Sequence, residues 1–414
     1  MARVDALVLG AGIVGTSVAL HLAKRGLSVA LVDRAQPGHG TSYGNAGIIE
    51  GSTVFPQSFP DLARVVKVAF KQAPEANYHL SFLPQVAPWL LAFRKWSTPE
   101  RLIETAAVMR PMFAKAVSEH EAIMAESGSA KYLRKTGWLK LYREQRSFEK
   151  NERERGLATN YGIAHRELSV ADTHALEPSL SPSAFVRSVF WPDVASISNP
   201  LAVTLAYAQR FSALGGVVLT GDARKLHRTD GRWRMDTDAG HVDATQVVIA
   251  LGPWSDDVLP QFGLRFPFGL KRGYHWHFGT TGNASLARPV LDADRGYVIT
   301  PMEQGIRLTT GAEFAARDAA PTPVQFGRVL PSARELFPLG QPVEPQPWHG
   351  ARPCFADSRP VIGPAPGQQN MWLAIGQGHW GLTLGPATGR LLAEMMTEAT
   401  PFMDPAPFRA ERFF

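Results

Sequence analysis

The chain has 414 residues, enough for two or three domains of ordinary size. Its apolar fraction of 45% is that of a globular protein and excludes both a disordered chain and a membrane bundle. Lys and Arg number 43 against 37 Asp and Glu, a net charge of +6 with no run of five basic residues, which argues against a nucleic-acid binder and suits anionic small molecules or anionic lipid.

The first apolar stretch, from Val4 to Ala23, resembles a signal peptide only superficially. Asp5 lies near its start, glycines interrupt it, and no small-residue cleavage site follows. Residues 4–9, VDALVL, instead predict a buried strand. GAGIVG follows, with Gly10, Gly12 and Gly15, then a helix stopping at Gly26 and a second strand ending at Asp33. This is a βαβ unit of dinucleotide-binding type. Gly10 allows the tight turn, Gly12 lets a pyrophosphate approach the backbone, and Gly15 lets helix and strand pack closely. The helix N-terminus, at Ile13 and Val14, offers free N–H groups and a positive dipole end to phosphates. Asp33 suits ribose hydroxyls and disfavours a 2′-phosphate, although Arg34 beside it leaves an opening for one.

The loop after Asp33 is longer and richer in glycine than a strand-to-helix connection requires. With Gly40, Thr41, Ser42, Asn45, Ala46 and Gly47 it reads as a bed for an extended ligand, or else as an ordinary surface loop. Helical periodicity runs over 60–128, with Val86, Trp89, Leu90 and Phe93 on one stripe. The segment 88–96, PWLLAFRKW, is an amphipathic packing helix on this pattern, with contact to a membrane surface as the rival reading. Residues 137–142, 274–278, 296–301 and 306–311 predict strands. A helix ends at Gly215-Gly216, with the strand VVLTG after it. Residues 246–255 predict a buried strand that turns at Gly252 and Trp254, where a cofactor can pass close to the backbone. His275 and His277 form a poor metal motif, and no metal is expected. Cys354 is the single cysteine, which excludes an intrachain disulfide and a cysteine-ligated cluster and fits a reducing, cytoplasmic setting.

Together these segments resemble the D-amino-acid oxidase superfamily of FAD-dependent oxidoreductases, and most nearly its D-amino-acid dehydrogenase branch. The motifs are GAGIVG at 10–15, DRAQPGHGTSYGNAG at 33–47, VVIALGPWS at 247–255, LKRGY at 270–274, GARPCFADSRPVIG at 350–363 and WLAIGQGHWGLTLGPATGRLLAEM at 372–395. The resemblance implies a mixed α/β fold. A Rossmann-like FAD-binding domain would be assembled from 1–80, 155–255 and 340–405, and an antiparallel-sheet substrate domain from 81–154 and 256–339.

It also implies site roles. Arg352 of the GARP motif would bind a substrate carboxylate in a bidentate fork, unless it pairs with Asp357. Tyr297 would cover the substrate, Tyr274 would line the cavity, and Arg272 would be a second anion contact or exposed. His379 would be a direct contact more readily than a base. The C-terminal helix, with Pro386 in its first turn, would face the flavin through Gly378, Gly381, Leu382 and Thr383. FAD would be held non-covalently, because Cys354 falls away from the attachment position of the sarcosine oxidase cousins. The expected reaction is dehydrogenation of a D-amino acid or cyclic imino acid, of proline or hydroxyproline type for instance, with quinone or another carrier as acceptor. Peripheral contact with the inner face of the membrane and a homo- or hetero-oligomer are compatible with it. The rivals are an oxidase of secondary amines, N-substituted glycines or opines, a flavin subunit of a heteromeric dehydrogenase, and an NAD-dependent dehydrogenase.

Overall fold

The computed structural model describes residues 2–51 and 56–414. The N-terminal apolar run forms β1 (Ala2–Leu9), then α1 (Ile13–Lys24), then β2 (Val29–Asp33). Within an eight-stranded mixed sheet, β1 pairs in parallel with β2 on one side and with the strand Gly240–Ile249 on the other. Val217–Thr220 extends the sheet beyond β2, and Met371–Ile375 extends it beyond Gly240–Ile249, both in parallel. Such a sheet is covered on both faces, which is why residues 6–9 are uninterruptedly apolar and fully buried. On one face α1 packs against the C-terminal helix Gly381–Met396 and the helix Pro200–Ala213.

The second sheet has eleven strands, with Gly269–Thr280 at its heart. That strand pairs antiparallel with Gly305–Thr309 along one part and with Trp348–Cys354 along another. A small third sheet joins Ile48–Ile49, Ala195–Ile197 and Leu133–Arg134.

The expected division of the chain needs correction. Strands Arg166–Leu168, Arg187–Trp191 and Trp348–Cys354 all belong to the eleven-stranded sheet, so boundaries at 155 and 340 do not separate the two units. The helix Pro99–Glu126 buries Met109, Met112, Phe113 and Ile123 in the core shared with α1 and the C-terminal helix, so it belongs with the dinucleotide side. Local pattern names an element. It does not say which of two sheets will cover its apolar face.

In the helix Leu83–Trp96, Val86, Trp89 and Phe93 are buried, as a packing helix requires. Among the described residues no helix is long and apolar enough to cross a membrane.

Candidate active site

A cavity of about 1050 Å³ runs between the two sheets, from the end of β2 to the start of the C-terminal helix. Its first end is built by the βαβ turn. Gly10, Gly12, Ile13, Val14, Asp33 and Arg34 all line it. Gly10 has φ +103, and a Cβ there would stand 2.4 Å from the Ala250 carbonyl oxygen. Gly12 opens α1 with no side-chain cap of its own. Ser42 supplies one instead, accepting from the Ile13 amide at 2.9 Å. One carboxylate oxygen of Asp33 accepts from the Ala11 amide at 2.7 Å and the other from the Ala35 amide at 3.0 Å, which ties the acid to the turn. Gly15 lies behind the cavity wall, and a Cβ there would stand 1.8 Å from the Gly10 carbonyl oxygen. Its role is helix-to-strand packing, not ligand contact.

The glycine-rich loop forms the next stretch of wall through Gly40, Thr41, Ser42, Asn45 and Ala46. It is clamped to the second sheet. Thr41 donates to the Ala351 carbonyl at 2.9 Å, and Arg307 donates to the carbonyls of Tyr43 at 3.0 Å and Asn45 at 2.5 Å. Arg307 also donates through Nε to His277 Nε2 at 2.9 Å, and His277 Nδ1 pairs with Glu344. His275 contacts the Gly44 carbonyl at 3.3 Å. The two histidines therefore hold the loop. Gly47 is packed behind the wall against the Ile197 carbonyl. Gly252 and Trp254 also line the cavity, Trp254 beside Gly40 of the loop, and Arg34 stacks on Trp254 with its guanidinium carbon 4.7 Å from the ring centre.

The far end is made by two neighbouring strands, where Lys271 stands directly opposite Arg352. Arg352 donates to the Gly311 carbonyl at 3.1 Å. Its guanidinium lies over Gly273, where a Cβ would stand 2.3 Å from Nη2. Asp357 is not its partner: that carboxylate takes Arg359 at 3.0 Å and Arg412 at 2.9 Å. Burial lowers the Arg352 pKa and raises that of the Cys354 thiol. His379 shares this wall, and burial, then the charges of Lys271 and Arg352, push its pKa down to about 3. It is a neutral ring at physiological pH.

Strand alternation corrects the two tyrosines. Lys271 and Gly273 face the cavity, so Arg272 and Tyr274 face away. The Tyr274 hydroxyl donates to Glu313 at 2.7 Å and accepts from Arg272 at 3.0 Å and the Thr322 amide at 2.8 Å. Arg272 pairs with Glu313 at 3.0 Å with both side chains fully buried, so it is neither exposed nor an anion contact. Likewise Gly296 and Val298 line the cavity, while Tyr297 points into the second core and donates to the Ser332 carbonyl at 3.2 Å.

The C-terminal helix starts earlier than expected. Gly378–Trp380 makes a single tight turn, and the helix begins at Gly381, which puts Pro386 inside it rather than in its first turn. Proline there leaves the Leu382 carbonyl without its helical donor. His120 Nε2 occupies that carbonyl at 2.7 Å, and its Nδ1 meets the Tyr207 hydroxyl at 2.9 Å. Burial pushes the His120 pKa down to about 4, which keeps the ring neutral with Nε2 as donor. Gly378, Gly381 and Leu382 line the cavity. Thr383 turns away and donates to the Ile48 carbonyl at 3.0 Å.

Lys271, Gly273, Gln57 and Trp348 also line the cavity and were not singled out from sequence. Lys271 lies inside the LKRGY motif beside Arg272 and Tyr274, and the motif alone does not show which of the three faces the cavity. Knowing the register with residues 348–354 would have found it. Among the described residues no group of three or more His, Cys, Asp or Glu is placed to hold a metal ion.

Comparison with known proteins matches residues 5–395 to the FAD dependent oxidoreductase (DAO) family. A D-amino acid dehydrogenase of Chromohalobacter salexigens is 28% identical over 415 residues, covering 98% of this chain and 99% of that protein. A D-amino-acid oxidase of Bradyrhizobium diazoefficiens is 27% identical, covering 98% of each. Among solved structures, glycine oxidase of Geobacillus kaustophilus superposes with a TM-score of 0.75 at 22% identity, covering 99% of this chain and 98% of that one.

Proposed function

Because this chain belongs to the FAD-dependent oxidoreductase family, we propose that its cavity holds FAD and oxidises the α-carbon of a D-amino acid or cyclic imino acid. The residues present fit the cofactor. Gly12 leaves a side-chain-free approach at the α1 N-terminus, whose dipole favours the pyrophosphate. Asp33, on the cavity wall at the end of β2, would bind the ribose, and the glycine-rich loop would give an extended bed. Gly381 and Leu382, at the start of the C-terminal helix, would hold the ring end. FAD supplies the oxidising power, accepting the hydride that leaves the α-carbon.

The protein's own work is binding and orientation. Arg352 is a cavity cation with no carboxylate partner among the described residues, and that observation carries the reading. Its planar fork suits an α-carboxylate and fixes the orientation of the α-carbon. The first turn of the C-terminal helix directs N–H groups and a positive dipole end at the cavity, which favours negative charge developing there. His379, being neutral, serves as a contact on this wall, and the substrate ammonium loses its proton to water. Cys354 keeps its proton, in accord with non-covalent FAD. The names of the relatives support the D-configuration. The relatives are named both dehydrogenases and oxidases, and the acceptor in this reading is a quinone or similar carrier met peripherally at the membrane's inner face.

An anaerobic titration of the yellow protein with D- and L-amino acids and imino acids, following the visible flavin band, tests this reading. Bleaching by D-amino or imino acids is expected, and a flavin that none of them reduces would contradict it.

A further inference from the structure

Charges on the cavity wall are mostly matched. Lys140 pairs with Glu154 at 2.5 Å, Arg224 with Asp222 at 2.5 Å, and Arg317 with Asp257 at 2.9 Å. At the far end the pattern breaks. Lys271 and Arg352 are register partners on adjacent antiparallel strands. Their Cβ atoms therefore lie about 4.5–5.5 Å apart on one face, an arrangement that costs stability for like charges. Among the described residues no carboxylate lies within ion-pair distance of either one. Arg272, between Lys271 and Gly273 in sequence, shows the contrast, because it faces away and its charge is met by Glu313.

Lys271 is 9% exposed. Its ammonium donates to Gln57 Oε1 at 3.2 Å and lies 4.6 Å from the centre of the Phe93 ring and 5.1 Å from that of Trp89. An amide oxygen and two ring faces stabilise a cation but do not neutralise it. Burial, together with the neighbouring Arg352, lowers the Lys271 pKa, whereas an anion at the site would support the charged form. The two cations also have different neighbours. The Arg352 guanidinium is held over Gly273 and against the Gly311 carbonyl, and the Lys271 ammonium is held against Phe93 and Trp89. One small carboxylate matches one of these positions. Two anionic groups a few carbons apart match both.

We propose that Lys271 forms a second anion subsite and that the substrate carries a side-chain acid group, so that the preferred class is a dicarboxylic amino acid. The assignment rests on the oxidation reading, with Arg352 on the α-carboxylate. Lys271 then acts as a specificity-determining residue.

The test uses the FAD-loaded enzyme and matched pairs that differ only in charge: D-glutamate against D-glutamine and D-aspartate against D-asparagine. The wild type is expected to favour the better acid over its amide by about 30-fold in kcat/KM, the scale of one charged hydrogen bond. Lys271→Met should collapse that ratio toward 1, and Lys271→Arg should keep most of it, with FAD content checked in both. A second arm needs no turnover: glutarate and pentanoate are titrated against the flavin spectrum, and glutarate should bind at least 10-fold more tightly in the wild type only. Equal handling of acid and amide by the wild type would overturn the subsite. So would a loss in Lys271→Met that is the same for every substrate, which would place Lys271 on the cofactor or on proton transfer. If no amino acid reduces the flavin but glutarate still binds selectively through Lys271, the oxidation reading fails and the anion subsite stands.

Discussion

The two ends of the cavity were unequally readable, and the difference is physical. At the nucleotide end function belongs to the backbone. A turn at φ +103, a helix start without a side chain, and a close helix–strand contact each demand glycine, so the letters themselves report the geometry. At the substrate end function belongs to side chains on strands, and a strand shows its neighbouring residues to opposite faces. Tyr274 and Tyr297 stand one residue from the cavity-facing Gly273 and Val298, and both point into polar or apolar core instead. Their motif context was sound and the face was not legible.

The same distinction explains the other corrections. Pro386 reads as a first-turn proline only until the helix is seen to begin at Gly381, and its lost hydrogen bond is absorbed by His120, far away in sequence. Arg352 could be placed by motif, but that Gly273 makes room for it depends on a strand pairing that no local pattern encodes. The βαβ unit, the glycine-rich loop and the strands with a clear local pattern were legible because each is specified within about 30 residues. Which sheet residues 166–168 or 348–354 would join depends on distant partners.

Substitutions can sharpen this contrast. The largest effect is expected at the backbone-determined end. Gly12→Val places a branched side chain where a Cβ already comes within 3.2 Å of Ser42 Oγ, and the purified protein should be folded but colourless. A fully yellow variant would break the account of that end. At the other end, Gly273→Ala should push the Arg352 guanidinium aside and lower kcat/KM by about 10-fold or more, with FAD retained. Unchanged kinetics would show that Arg352 is not held there.

A smaller effect follows from the buried histidines. Burial holds His21 and His379 at about 3 and His120 at about 4, against an ordinary value of 6.5. Their folded-state values are depressed, so the unfolded chain takes up protons that the native one refuses. The stability they contribute is fully present above pH 6.5 and is lost as pH falls toward 4. The melting temperature should drop by about 5 °C or more between pH 7 and pH 4.5, and a flat profile would argue that these rings are solvated. The smallest effect is expected at Tyr297→Phe. Losing the Ser332 contact should cost about 1 kcal/mol of stability and leave turnover within about twofold. A large fall in turnover would return Tyr297 to the substrate.

The most direct test of the central claim is anaerobic flavin reduction by one D-amino acid, compared between the wild type and Arg352→Ala at equal FAD content. Losing a charged fork to the carboxylate predicts at least about 100-fold weaker saturation, with the flavin still bound. Half-saturation at the same concentration in both proteins would remove Arg352 from the site and with it the proposed orientation of the substrate.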